Sequence, residues 1–293
     1  MRAARIHEYG GPDVIHVEDI PEPLPGPGEV LIRVAATSLN PTETALRSGL
    51  LATMFPVVLP VTLGWDVAGT VDGDPVLGML DTGAAAEFAV APATSMVRAP
   101  ASVPLADAAA LPLAGMTAWQ TVTEHAAITP GERVLVNGAG GGIGGFAVQL
   151  AKHAGAYVLA TASPRSAATV RGLGADEVLD YTAGPLTVGE PVDAVLNCAA
   201  IDPVAAAALV PLVRRGGRII TVATPIESSA SVTARHIVTR NDPADLATLV
   251  RLVDDGVLRL VITDRRTLGD LPELHRLAES GGTHGKIIVT PSR

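Results

Sequence analysis

The chain is short of four things, and each shortage narrows what it can be. A single cysteine, Cys198, rules out an intrachain disulfide and fits a reducing cytoplasm. Aromatics make up 3% of a chain that is 48% hydrophobic, so Ala, Val and Leu must fill the core. That mixture favours parallel sheets covered by helices. Positive charge is scarce and scattered, with 21 Lys and Arg against 30 Asp and Glu. Such a pattern leaves no electrostatic footprint for nucleic acid or an anionic membrane. Spanning apolar runs are also missing. The uncharged stretch between Arg133 and Lys152 is broken by six glycines and Asn137, and that between Asp107 and Glu124 by Pro112 and polar residues. Neither supplies the roughly 20 apolar residues needed to cross a bilayer. The opening Met-Arg-Ala-Ala-Arg-Ile-His-Glu has no signal core.

Glycine, by contrast, is plentiful and unevenly placed. Val134-Leu-Val-Asn-Gly-Ala-Gly-Gly-Gly-Ile-Gly-Gly-Phe-Ala-Val-Gln-Leu-Ala-Lys152 runs from a β-branched segment through clustered glycines into an amphipathic helical pattern. The spacing Gly138-x-x-Gly141-x-x-Gly144 suits a dinucleotide. Gly138 permits a tight turn, Gly141 the approach of a pyrophosphate, and Gly144 close helix–strand packing. Gly140, Gly142 and Ile143 would lend bare backbone N–H groups at the helix start. Spacing alone fits any glycine-rich turn between a strand and a helix, so position has to decide.

With 293 residues the chain suggests about two domains. Residues 1–98 read as short strands and turns, such as Val30-Leu-Ile-Arg-Val-Ala after Pro25-Gly-Pro-Gly-Glu29, with only a possible helical turn at Pro41–Arg47. Further on, strands and helices alternate. The expected strands are Arg133–Asn137, Ala156–Thr161, Glu177–Tyr181, Ala194–Ala199, Arg218–Ala223 and His236–Thr239. Helical patterns cover Gly145–Ala154, Ser166–Leu173, Pro203–Val213 and Asp245–Asp254, each ending near a glycine. Repeated βα units of this length predict an α/β, doubly wound parallel sheet. The glycine cluster follows the first strand of that series, where such sheets bind ligands. The tail returns to strand, helix and strand at Leu260–Thr263, Leu271–Ser280 and Lys286–Thr290. The expected division is therefore a discontinuous β-rich domain of residues 1–98 and 256–293 and a dinucleotide-binding domain of residues 99–255.

The second strand of the series indicates which nicotinamide cofactor is used. NAD-binding relatives of this fold place a carboxylate about 20 residues beyond the glycines. Here the strand closes Ala160-Thr161-Ala-Ser163-Pro-Arg165, offering hydroxyls and a guanidinium instead. Ser163 and Arg165 supply the donors and positive charge that a 2′-phosphate requires, which points to NADPH. Alternatively, Ser163-Pro164 caps a helix and Arg165 is a solvated first-turn residue; for the serine both roles are compatible.

Taken together, these segments resemble the zinc-independent quinone oxidoreductase (zeta-crystallin-like) branch of the medium-chain dehydrogenase/reductase superfamily. The resemblance is carried by Ile6-His-Glu-Tyr-Gly-Gly-Pro-Asp-Val14, Leu39-Asn-Pro-Thr-Glu-Thr44 and Gly64-Trp-Asp-Val-Ala-Gly69. It continues through Ala110-Leu-Pro-Leu-Ala-Gly-Met-Thr-Ala-Trp119, the glycine cluster, Leu173-Gly-Ala-Asp176, Gly216-Gly-Arg218 and Gly285-Lys286. It implies a GroES-like β-rich catalytic domain plus a Rossmann domain, with the active site in the cleft between them. It places Asn40 and Thr117 near the nicotinamide, Trp65 at the substrate pocket and Tyr181 on the adenosine side. It also implies backbone contacts at Asn197 to Ala200, including Ala199, and at Ala223 to Pro225, including Thr224, with Ile237 and Val238 near the carboxamide. Family members commonly dimerise through the last Rossmann strand, here Arg235–Thr239, which would make this chain a homodimer.

Zinc is not expected. A catalytic zinc needs about three Cys, His or carboxylate ligands. Zinc-dependent relatives carry Cys where this chain has Asn40, and Gly-His-Glu where it has Gly64-Trp65-Asp66. Metal-free hydride transfer suits quinones and α,β-unsaturated carbonyls, whose developing negative charge is delocalised and can be met by oriented donors. Asn40 is the first candidate donor, or a turn residue before Pro41. Thr117 could donate, or bond back to a helix carbonyl. Trp65 could wall the pocket or pack in the core. Glu43 and Asp66 could act as acids, but they read rather as structural hydrogen-bonding groups.

Two departures from the family pattern matter. Ala45 and Leu51 stand where zeta-crystallin-like sequences have tyrosines, so a phenolic proton donor is missing. Thr70-Val-Asp-Gly-Asp-Pro-Val76 replaces a connection about a dozen residues longer, which would open the cleft. Two alternatives stay open: a free-standing enoyl reductase of acyl or polyketide synthesis and, because of these departures, a non-catalytic NADPH-binding sensor or structural protein.

Overall fold

A computed structural model describes residues 1–291. The first half contains β1 (Arg2–Ile6), β2 (Ile15–Asp19), β3 (Glu29–Ser38), α1 (Thr42–Ser48), β4 (Val61–Thr62), β5 (Asp66–Val71), β6 (Asp74–Met79), β7 (Phe88–Pro92), β8 (Val97–Arg98), α2 (Leu105–Ala108) and α3 (Pro112–Trp119). Then follow β9 (Arg133–Asn137), α4 (Gly142–His153), β10 (Tyr157–Ala162), α5 (Pro164–Gly172), β11 (Glu177–Asp180), β12 (Val192–Asn197), α6 (Pro203–Ala207), β13 (Val213–Thr221) and β14 (Thr233–His236). The chain closes with α7 (Pro243–Asp254), β15 (Ile262–Thr267), α8 (Leu271–Glu279) and β16 (Lys286–Thr290). No helix among the described residues is long and apolar enough to cross a membrane.

The chain divides into two units, residues 1–113 with 241–254 and 260–293, and residues 114–240 with 255–259. These boundaries differ from those expected at 98/99 and 255/256. Periodicity reveals that a helix has an apolar face without revealing what covers it. Here α2 packs on β3 and β5, and α7 on β8, so both belong with the β-rich unit. The Ser102 amide, donating to Asp254 Oδ1 at 2.9 Å, fastens the segment before α2 to the end of α7.

The β-rich unit holds a three-stranded sheet, β2-β1-β4, and a seven-stranded sheet ordered β15-β16-β3-β5-β6-β8, with β7 also pairing β3. Ile6, Leu39, Leu46, Leu63, Leu271, Leu274 and Val289 fill one core, and Ile32, Val67, Leu80 and Ala89 a second. The shortened 70–76 connection is a tight hairpin. Asp72 and Gly73, at φ 51° and 93°, link β5 to β6 directly, both in the left-handed region that such two-residue turns require.

The other unit is a six-stranded parallel sheet ordered β11-β10-β9-β12-β13-β14. The strand order reverses its direction of growth at β9, with β10 on one side and β12 on the other. That is the switch point of a doubly wound sheet. Leu135, Leu159, Val195, Leu209 and Ile219 form its core. β14 lies three residues earlier than the expected His236–Thr239 and forms a sheet edge. The expected helix over 203–213 is cut short at Ala207, and Val213 already opens β13.

Candidate functional site

In the Rossmann unit the site is built from backbone. Val134, Leu135 and Val136 of β9 are completely buried, and the chain turns out of the sheet at Gly138, where φ is +85°. A Cβ at Gly144 would lie 2.1 Å from the Gly138 carbonyl oxygen, so the first turn of α4 packs against the glycine turn with only hydrogens between. Gly141 is the N-cap of α4 and contributes no side-chain hydrogen bond. Its missing Cβ has only the Gly138 oxygen, at 3.4 Å, within reach. A helix N-terminus left bare in this way, with the positive end of its dipole, is a place for a phosphate. The residues present therefore fit a dinucleotide diphosphate.

Beneath the turn, uncharged side chains lock the carboxyl ends of the strands together. The Gly138 amide donates to Thr161 Oγ1 at 2.9 Å, and that hydroxyl donates to Asn137 Oδ1 at 2.8 Å. Asn137 Nδ2 in turn donates to Asn197 Oδ1 at 2.8 Å. Thr224 Oγ1 accepts from the Ile201 amide at 2.9 Å and donates to the Ile201 carbonyl at 2.8 Å, tying together two loops that leave strand ends. In the sequence Asn137 stands only as the end of an expected strand. Its signal was there, a carboxamide closing an apolar strand one residue before the glycines.

The other expected cofactor residues fall into three groups. Gly140, Gly142 and Ile143 lie in the turn and the start of α4, with Gly140 so close to Ser166 that a Cβ would meet its Oγ at 2.6 Å. Ser163 caps α5 through its carbonyl, which accepts from the Ser166 and Ala167 amides at 3.0 Å, while its hydroxyl makes no cap. Arg165 is exposed in the first turn of α5, and Tyr181 follows β11 in the open. Ala199 is half-buried in the loop after β12, Ala223 is exposed after β13, Ile237 is buried and Val238 exposed. Thr117, on α3, engages the Thr239 hydroxyl at 2.5 Å, and it is Thr121 that bonds back to a helix carbonyl, that of Thr117.

The β-rich unit contains a buried charged cluster whose central member had been assigned no role. Lys286, at the start of β16, is 4% exposed. Its ammonium donates to Asn40 Oδ1 at 2.8 Å, Asp66 Oδ2 at 3.3 Å and the Leu39 carbonyl at 3.4 Å. Three N–H groups meet three acceptors, so none is left over. Asn40 Nδ2 shares its two N–H groups among Asp66 Oδ2 at 2.8 Å, Glu43 Oε1 at 3.2 Å and the Ser38 carbonyl at 3.3 Å. Asp66 also accepts from the Ser38 hydroxyl and, at 2.7 Å, from the Leu113 amide. Both ends of the Asn40 amide are thus engaged within the unit. To serve as a donor elsewhere, it would have to exchange a bond it already makes.

Glu43 completes the cluster on α1. Burial, followed by the nearby Asp66 carboxylate, pushes its carboxyl up to about 8, so it keeps its proton at neutral pH. Glu43 and Asp66 make the structural hydrogen bonds expected of them. The only sequence signal for Lys286 was a charge opening the apolar strand Lys286-Ile-Ile-Val-Thr290. Trp65 is half-buried against the core that includes Leu39, Leu46 and Leu63, and its ring lies 6.4 Å from that of Phe55. Among the described residues no three His, Cys, Asp or Glu side chains gather closely enough to hold a metal ion.

Comparison with known proteins agrees with this architecture. Residues 26–74 match the alcohol dehydrogenase GroES-like domain and residues 173–289 the zinc-binding dehydrogenase family. The chain is 33% identical over 327 aligned positions to the chloroplastic quinone-oxidoreductase QR1 of Triphysaria versicolor, covering 99% of this chain and 98% of that one. A quinone oxidoreductase from Coxiella burnetii superposes with a TM-score of 0.90 at 28% identity, covering 100% of this chain and 99% of that one. A mycobacterial protein solved in complex with NADPH superposes with a TM-score of 0.86 at 27% identity, covering 99% and 100% of the two chains.

Proposed function

We propose that this chain, which belongs to the medium-chain dehydrogenase/reductase superfamily, uses NADPH to reduce quinones or α,β-unsaturated carbonyls without a metal. The observation that carries the reading is the bare backbone turn from Gly138 to Gly144, closed so tightly that a Cβ at Gly144 would meet the Gly138 oxygen at 2.1 Å. Such a turn holds a diphosphate by main-chain N–H groups. When bound, the dinucleotide supplies a hydride. The rest falls to the chain's own residues, which bind, orient and keep water away.

Ser163 and Arg165 support the choice of NADPH, because a hydroxyl and a guanidinium at the start of α5 suit a 2′-phosphate better than a free ribose hydroxyl. Charge-assisted bonds of this kind contribute about 1.5–3 kcal/mol, so Arg165→Ala is expected to lower the ratio of NADPH to NADH affinity about 10- to 100-fold. An unchanged ratio in equilibrium titrations would remove the assignment. Lys286 supports the metal-free reading. Its ammonium already lies on Asn40 and Asp66, two positions that in zinc-dependent relatives carry Cys and Glu. A divalent cation there would have to displace it. The edge strand β14 supports pairing with a second copy through main-chain bonds.

The deciding experiment follows NADPH consumption with a quinone, an enone and an enoyl thioester, each with and without a chelator. Turnover of the quinone or enone that survives chelation is expected. Turnover restricted to the thioester would identify an enoyl reductase. Tight NADPH binding with no turnover on any acceptor would identify a sensor instead.

A further inference from the structure

One uncharged stretch equals the glycine segment in length and has so far been given no function. From Ser48 to Trp65 the chain carries no Asp, Glu, Lys, Arg or His. Its conformation divides its apolar side chains in two. Val57, Leu59 and Val61 turn inward onto the core of Leu39, Leu46 and Leu63. Leu50, Met54, Phe55 and Val58 face outward, 82%, 64%, 42% and 90% exposed. Four large apolar side chains exposed within one short segment are more than the scattered single ones that a protein surface ordinarily carries. The group is also continuous with Trp65 through the Phe55 ring, 6.4 Å away.

Trp65 adds an independent observation. Its indole Nε1 is buried and has no hydrogen-bond acceptor among the described residues. Leaving a buried donor unpaired is costly, and such groups are few in folded proteins. The nitrogen has no exposed surface as the side chains stand, so a ligand supplies the missing acceptor by moving its neighbours aside.

We infer that the acceptor is a quinone with a long apolar tail, whose ring carbonyl accepts from Trp65 Nε1 and whose tail lies along Leu50, Met54, Phe55 and Val58. This deepens the proposed reaction and rests on it. The chemistry of the stretch favours an uncharged tail over other occupants. A coenzyme A thioester brings phosphates, and the segment has no cation to meet them; the adjacent Arg47 is 1% exposed and paired with Glu279. A bilayer surface is normally held by basic residues beside the apolar ones. This stretch has none, on a chain of net charge −9.

The test compares kcat/KM for decylubiquinone with that for the same ring bearing a methyl group, in the intact protein, in Met54→Ser/Val58→Ser and in Trp65→Phe. The tailed quinone should be favoured by at least about tenfold in the intact protein, as a few buried methylenes provide. The serine pair should bring that ratio close to one. Trp65→Phe should raise KM for both quinones while leaving their ratio intact. Equal kcat/KM for both quinones in the intact protein, or a preference that survives the serine pair, would overturn the tail site while leaving quinone reduction standing. Turnover of an enone but of neither quinone would remove this site while leaving the reduction of activated alkenes standing, and turnover of none of the three would remove the proposed reaction as well. Binding to neutral phosphatidylcholine vesicles without quinone, abolished by the serine pair, would assign the strip to a lipid surface instead. A dimer lost in the serine pair would assign it to a second copy of the chain.

Discussion

The two units solve the problem of placing polar groups in opposite ways. The Rossmann unit presents main-chain N–H groups and steadies them with uncharged amides and hydroxyls: Asn137, Thr161, Asn197 and Thr224. The β-rich unit buries formal charge, setting Lys286 against Asp66 with a protonated Glu43 alongside. A backbone cradle depends on shape, because its dipoles are fixed by the fold and do not titrate. A buried ion pair depends on balance, because its desolvation is repaid only while both partners and their hydrogen bonds are in place. Steric substitutions should therefore damage the first unit's site, and substitutions that alter charge the second's.

The sharpest test of that contrast is Lys286→Met. It leaves a fully buried Asp66 without its counter-charge, and losing one partner of such a pair costs about 3–5 kcal/mol. Thermal and denaturant unfolding should show the loss. The double variant Lys286→Met/Asp66→Asn should recover much of it, since no lone charge remains. If the single variant is as stable as the parent, charge balance does not govern this cluster.

Gly144→Ala probes the opposite case. No charge changes, but backbone 2.1 Å from the new Cβ must move. A loss of about 2–4 kcal/mol is expected, as for other steric insults at a close approach. NADPH affinity should fall with it, since the same turn is the proposed phosphate cradle. Calorimetric titration beside a melting curve measures both, and normal NADPH affinity would show that the cradle lies elsewhere.

The smallest effect depends on pH. Glu43 in the folded protein titrates near 8, above its ordinary value of 4.5, so the folded state holds the proton more tightly. Its contribution to stability is complete below about pH 4.5 and declines as pH rises towards 8. Glu43→Gln should remove that decline, leaving stability near the parent's at pH 5 and clearly above it at pH 8.5. His275 acts in the other direction. Burial, and secondarily Arg47, pulls it down to about 4, so its contribution is complete above pH 6.5 and is lost as the pH falls towards 4. Melting temperatures across pH 4 to 9 would separate the two slopes, and a Glu43→Gln curve parallel to the parent's would show that this carboxyl titrates normally.

Much of the fold could be read from sequence, and particular residues show why. β9 and β16 fall on Arg133–Asn137 and Lys286–Thr290, as their β-branched patterns required. The shortening over 70–76 was legible against the family pattern, but not the two-residue turn at Asp72-Gly73 by which β5 reaches β6. Where α2 and α7 pack was not legible, because each apolar stripe would fit either unit. The exposed face of Ser48–Trp65 is not legible either. An uncharged run looks the same whether its side chains turn inward, like Val57, or outward, like Val58.

The sequence by itself determined the glycine turn and the βα rhythm around it. Those features depend on neighbours a few residues apart, where turn geometry, hydrophobic period and the absence of side chains leave little freedom. Only the tertiary structure decided that Lys286 would meet Asn40 across 246 residues of chain and help fix in place the amide that looked free to donate. Long-range pairing of that kind follows from how β16 docks beside β3 in the mixed sheet, and no local pattern encodes it.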